Sequence, residues 1–336
     1  MKRIEYVDSL KFIAIFSIII LHMFSVFNST EIVNVPFNNL KEIVRFGVPL
    51  FLMVSGMLLL NREIDLKLFF RKKIVRILYP VIFFLLIAYL LNIYQINDFF
   101  ETYWYCWMMI GVYLAIPVVN IFIKNASDKE LNYTILIFLF ASLITTIAKK
   151  FNITIALDLT FFLGPVSYLV LGYYLSRKKF KLSPALISTI SLLAYILITI
   201  YKIYGHDYLY INNHEPILSL LNISLPQVIQ ASSLFLLFKS IYENTHGLFY
   251  GTKKLLLENH VKGFITSVSK SSYGIYLVHL LFINGIIEKI FSDLSMSGTN
   301  SLITVIIVSI ILLLVSWMII VILSKIPVIK KFSGYG

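Results

Sequence analysis

The chain has 336 residues, of which 59% are hydrophobic and only 14% charged, with a mean hydropathy of +0.86. Soluble globular domains carry roughly a quarter of their residues charged, so the composition excludes that class and implies a polytopic, all-α integral membrane protein. The single cysteine, Cys106, excludes an internal disulfide and a thiolate metal cluster, while a formal charge of +12 raises the matter of an anionic partner.

Apolar blocks near the roughly 20 residues that a spanning helix needs fall at 10–28, 43–60, 77–96, 105–123, 131–148, 157–175, 184–204, 219–241, 272–291 and 301–323. The first is followed by "MFSVFNSTEI", which offers no Ala-x-Ala-like cleavage site, and is read as a retained helix. The eighth is the least regular, because "LNISLPQVIQASS" is polar and proline-interrupted. Ten crossings put both termini on one side. Of the 29 basic residues, 23 lie on that side, grouped at the N-terminus, between Arg62 and Arg76, at Lys124 and Lys129, from Arg177 to Lys181, from Lys239 to Lys270, and after Ser324. Such a bias follows the positive-inside rule, so both termini are expected in the cytoplasm. The positive charge is then a topological signal with an attraction to anionic membrane lipids, and no nucleic acid is expected as a partner. With no internal repeat, low-complexity tail or glycine-rich phosphate loop, residues 1–336 are expected to form one transmembrane domain with no appended soluble domain.

In the first block, "KFIAIFSIIILH" opens on Lys11 and closes on His22. Eleven residues of helix give about 16 Å of rise and leave about 20° of angular offset, so the two share a stripe. Asp8, one turn before, and Ser25, one turn after, extend it. Lys11 could serve only as a snorkelling anchor, and His22 could simply bridge helices; an ionisable group inside a membrane helix is nonetheless a functional candidate. Before the third block, "RKKIVR" supplies Arg71, Lys72, Lys73 and Arg76, either as a topological anchor or as donors to phosphate. Trp104 and Trp107 in "YWYCW", and Tyr208 and Tyr210 in "HDYLYINNHEP", suit either an interfacial aromatic belt or stacking on sugar rings. His206, Asp207, His214 and Glu215 in the latter segment are too loosely spaced to predict a metal site. In the ninth block Ser272, Tyr276 and His279 recur at helical spacing and predict a polar seam facing the bundle interior.

Several of these segments together resemble one family. "YVDSLKFIAIFSIIILH" is similar to the first helix of membrane-bound acyltransferase family 3, whose signature is a basic residue, ten residues, then histidine. "RFGVPLFLMVSGMLL" resembles the family's second helix, "FFRKKIVRILYP" its basic lead-in to the third, and "YWYCWMMIGVYLAIPVVN" its fourth. "VSKSSYGIYLVH" is similar to the late S-Y-x-I-Y-L-x-H helix. Two positions depart from the pattern: Lys11 stands where arginine is usual, and Lys73 replaces the first arginine of R-x-x-R. Charge is kept at both, but bidentate guanidinium recognition is not.

The resemblance implies transfer of an acyl group, commonly acetyl, from cytosolic acyl-CoA to a hydroxyl of a cell-surface or lipid-linked carbohydrate, in the plasma membrane of a bacterium. Acyl-CoA is a co-substrate, and no bound cofactor or metal is expected. It also implies His22 as the base for a weakly nucleophilic hydroxyl. Lys11 and Asp8 would stand at the CoA end, and Arg71, Lys72, Lys73 and Arg76 would receive its phosphates. Ser55, beside Gly56, is a candidate donor to the developing oxyanion, and Ser272, Tyr276 and His279 serve the acceptor side or the bundle's structure. Envelope-polysaccharide machinery is an expected partner. Two other readings fit a ten-helix chain with intramembrane polar groups: a transporter or flippase of a lipid-linked saccharide, and a non-catalytic sensor.

Overall fold

The computed structural model describes residues 3–27, 31–32, 35–94, 98–151, 153, 157–205, 224–291 and 298–336. In chain order its helices are α1 (Glu5–Val26), α2 (Gly47–Leu59), α3 (Leu66–Leu90), the short α4 (Asp98–Thr102), α5 (Trp104–Asn125), α6 (Asp128–Phe151) and α7 (Pro165–Arg177). They continue with α8 (Pro184–Tyr204), α9 (Leu225–Glu243), α10 (Gly247–Leu257), α11 (Asn259–Phe282), the short α12 (Glu288–Phe291) and α13 (Gly298–Lys325). The one strand pairing among the described residues is a two-residue ribbon, Glu31–Ile32 against Val35–Pro36. The protein is an all-α polytopic membrane protein.

Eight stretches among the described residues are long and apolar enough to cross a membrane. The predicted blocks 157–175 and 219–241 give α7 and α9, which are not among the eight: α7 has only 13 residues, and α9 carries Gln227, Gln230, Ser232 and Ser233. Two helices begin well before their apolar blocks. Helix α3 starts at Leu66, where the Asp65 carboxylate accepts the Leu68 N–H at 2.7 Å, an N-cap that lets a basic turn precede the apolar one. Helix α11 likewise starts at Asn259.

The described chain divides into two compact units. The first comprises Met1–Ala14, Arg45–Arg62 and Val118–Ile265. Within it α2 crosses α7 at backbone contact. A β-carbon on Gly56 would stand 1.9 Å from the Leu169 carbonyl oxygen, and one on Gly172 would stand 2.1 Å from that of Met53. The two glycines therefore admit each other's helix, as small residues do at membrane helix crossings. Helices α8 and α9 are joined at both ends by polar contacts. At the start of α8, Ser188 Oγ meets Ser240 Oγ at 2.8 Å and accepts from Asn244 Nδ2 at 3.1 Å. Near its end, the fully buried Lys202 donates to Gln227 Oε1 at 2.5 Å and to Gln230 Oε1 at 2.8 Å. The Gln230 amide donates onward to Thr199 Oγ1, and that of Gln227 to the Arg45 carbonyl. Helix α1 joins this unit through Ser9, whose hydroxyl lies 2.8 Å from that of Tyr242.

The second unit comprises Ile15–Val44, Glu63–Pro117 and Thr266–Gly336. Phe24 packs on Phe37 and Phe27 on Phe291, with ring centroids 5.2 and 5.0 Å apart. Tyr273 on α11 donates to the Ile77 carbonyl of α3 at 2.9 Å, and Trp317 on α13 donates to Ser267 Oγ at 2.9 Å. The chain's last turn returns to α3, where Phe332 stacks near Tyr79 and Phe83. A π-helical turn, Ile283–Ile287, follows α11 directly.

Candidate active site

Helix α1 is unbroken from Glu5 to Val26, so Lys11 and His22 do lie on one helical stripe. The unit boundary falls between them: Asp8 and Lys11 belong to the first unit and His22 to the second. Asp8 is buried, and both of its carboxylate oxygens accept from Arg3, through Nε and Nη2. Sequence reading did not single out Arg3, although a fork-shaped donor five residues away is what a buried carboxylate requires. Lys11 is half-buried, and Ser25 is exposed with its hydroxyl turned back to the Leu21 carbonyl.

Within the second unit His22 meets α11. Its ring centroid lies 5.4 Å from that of His279, with the planes at 56°. His279 is fully buried, and its Nδ1 stands 3.1 Å from the Ile275 carbonyl oxygen one turn back. A carbonyl can only accept, so Nδ1 carries the proton and Nε2 holds a lone pair. That Nε2 is buried and has no hydrogen-bond partner. Unpartnered buried acceptors are uncommon in native structures and need a reason; a hydroxyl brought between the two rings would satisfy this one.

A tyrosine wall backs the pair. Tyr276 lies 5.6 Å from His279, and Tyr105 and Tyr103 lie 5.1 and 6.4 Å from Tyr276. The hydroxyls of Tyr103 and Tyr94 are anchored on the Leu277 and Leu280 carbonyls. These bonds hold α11 so that the predicted seam of Ser272, Tyr276 and His279 is buried throughout. The seam reaches His22, a contact that spacing within either helix alone could not reveal. Lys41 and the fully buried Glu42, on the helical turn Phe37–Ile43, belong to the same unit. Sequence reading missed both, because their segment reads as a polar loop rather than as the start of a span.

The remaining predicted residues divide between the units. Arg71, Lys72, Lys73 and Arg76 lie on α3 in the second unit, with Lys73 half-buried and the other three exposed. The Arg76 guanidinium lies against the backbone of Gly336, whose N–H donates to the Lys270 carbonyl at 2.9 Å. Ser55 is half-buried on α2 in the first unit, and the role of its neighbour Gly56 is the close crossing with α7. Trp107 packs on Phe100 at 5.1 Å, and Trp104 on Tyr105 at 6.3 Å. His206, Asp207, Tyr208, Tyr210, His214 and Glu215 lie outside the described residues. Among the described residues no group of three or more His, Cys, Asp or Glu is arranged to hold a metal ion.

These features define an all-helical integral membrane protein with an imidazole pair, His279 buried and His22 half-buried, backed by tyrosines. Comparison with known families makes the class specific: residues 4–321 match the family described as an acyltransferase domain, and the chain belongs to membrane acyltransferase family 3. The chain matches no curated protein and no solved structure.

Proposed function

We propose that this acyltransferase moves an acyl group, acetyl in the first instance, from cytosolic acyl-CoA to a hydroxyl of a cell-surface or lipid-linked carbohydrate in a bacterial plasma membrane. The observation that carries this reading is the juxtaposition of His22 with the unpartnered Nε2 of His279 inside a family-matched bundle. The acceptor hydroxyl lies between the rings. His22 removes its proton, the oxygen attacks the thioester carbon, and the C–S bond breaks. The CoA thiolate then takes the proton back from the imidazolium, so His22 is regenerated. His279, with its tautomer fixed by Ile275, accepts a hydrogen bond and orients the sugar. Both chain ends and the basic turn of α3 face the cytoplasm in this reading, which puts Arg71 to Arg76 where CoA phosphates arrive. The envelope-polysaccharide machinery supplies the acceptor.

Purified protein given labelled acetyl-CoA and a carbohydrate acceptor should transfer label and release one free CoA thiol per acyl group. Movement of a lipid-linked saccharide across vesicles without thiol release would replace the enzyme by a flippase. Arg76→Ala should weaken acyl-CoA binding about tenfold or more, the value of one charge-assisted phosphate contact, and leave acceptor affinity unchanged. Equal CoA affinity of variant and parent, read by calorimetry, would remove α3 from the donor site.

A further inference from the structure

The first unit contains a cavity of about 430 Å³ between the α7–α8 turn and the facing end of α9. Arg177, Lys178, Lys179 and Lys239 line it against a single carboxylate, Glu243. Lys239 is committed to the fold: its ammonium donates to the carbonyls of Leu175 at 3.0 Å, Ser176 at 3.1 Å and Lys178 at 3.0 Å. It thereby neutralises the carbonyl end of α7, and the turn's own basic residues are not needed for that task. Arg177 and Lys178 lie over the rings of Tyr173 and Tyr174, at 5.4 and 5.2 Å. No ion pair to Arg177, Lys178 or Lys179 is formed among the described residues.

A neighbouring cavity of about 420 Å³ shares Lys239 and Glu243 but is much less cationic, with Arg3, Lys239 and Lys253 against Glu5 and Glu243. There Arg3 is held by Asp8, and Glu5 is paired with Lys262. Four cations against one anion therefore distinguish the first cavity, and a dianionic or monoanionic oxygen cluster is the complementary ligand.

The lining also has apolar members, among them Leu182, Ile187 and Leu236. Helix α8, which contributes Ile187 to the lining, also carries an exposed apolar stripe formed by Leu186, Ile190, Leu193 and Leu197, each 45–67% exposed. Their spacing of four, three and four residues puts them on one helical face. A soluble phosphate would use only the charged residues, whereas a molecule with a phosphate head and acyl chains would use both these and the stripe. We infer that this cavity is a binding site for the head group of an anionic phospholipid, whose chains lie along the α8 stripe. Basic recesses between membrane helices suit such head groups, and the site stands independently of the acyl-transfer reading.

Native mass spectrometry of the detergent-purified full chain, titrated with phosphatidylglycerol and with phosphatidylcholine, tests it. The parent should retain phosphatidylglycerol preferentially. The double variant Arg177→Gln, Lys179→Gln should bind it about thirtyfold more weakly, as expected for two basic groups. Lys181→Gln, which changes the same turn outside the cavity, should stay within twofold of the parent, and Arg177→Lys should retain most of the affinity. Unchanged binding in the double variant would overturn the site, as would an equal loss in Lys181→Gln. Displacement of phosphatidylglycerol by inorganic phosphate or by CoA would overturn the lipid assignment.

Discussion

Replacing His22 by alanine should lower acyl transfer by about 10²- to 10⁴-fold, the range that a positioned general base supplies, while expression and membrane insertion stay at the parent level. The fold should tolerate the change because the His22 ring is half-buried and forms no hydrogen bond among the described residues. Its one ring partner is His279, at 5.4 Å. A rate measured at saturating acyl-CoA should fall without a matching rise in the donor's KM. Full activity in this variant would take the imidazole out of the chemistry. His279→Gln makes the companion measurement. A glutamine can still accept a hydrogen bond but cannot act as a base, so it should raise the acceptor KM more than it lowers kcat. The reverse split would make His279 the base.

Enlarging Gly56 should be the most damaging change away from the histidines. A β-carbon there would penetrate to 1.9 Å of the Leu169 carbonyl oxygen and 2.7 Å of its α-carbon. Backbone cannot rotate aside as a flexible side chain can, so α2 and α7 must separate. Overpacking a tight core costs about 1–3 kcal/mol and sometimes more, and Gly56→Leu belongs at about 3 kcal/mol. Gly111→Ala is the contrasting change, because nothing lies within 4 Å of its added carbon. It should be neutral or stabilising by about 0.5–1 kcal/mol, the usual gain of alanine over glycine in a helix. Thermal unfolding in detergent checks both; a Gly56→Leu protein as stable as Gly111→Ala would mean the crossing is loose.

The long apolar runs were legible from hydropathy alone. The block predicted at 184–204 coincides with α8, and those at 105–123 and 301–323 lie inside α5 and α13. Hydropathy failed where helices are not greasy. The basic turns that open α3 and α11 read as loops, because lysine and arginine depress an apolar average although both are good helix formers. Helix α10, with Lys253 and Lys254 in eleven residues, escaped notice for the same reason. At the site, the stripe from Lys11 to His22 and the seam from Ser272 to His279 followed from helical period. Their meeting did not, since residues 22 and 279 are joined only by tertiary packing. Arg3 as the partner of Asp8, and Gln227 and Gln230 as partners of Lys202, were hidden likewise: a polar residue announces that it needs a partner, not which one it finds.

Lys202 has a consequence for how the chain enters the bilayer. A lysine in a lone membrane helix opposes insertion, by about 2.5–3.5 kcal/mol at the helix centre and by less in the last turn, where Lys202 lies, and α8 otherwise exposes much of its surface. Helix α9, the next to be synthesised, is too polar to be a good solitary guest because of the same glutamines that satisfy Lys202. Each helix carries what the other lacks. The two should therefore partition from the insertion machinery as a hairpin, with α8 held in a protein-lined or aqueous setting until α9 emerges from the ribosome and covers its charge.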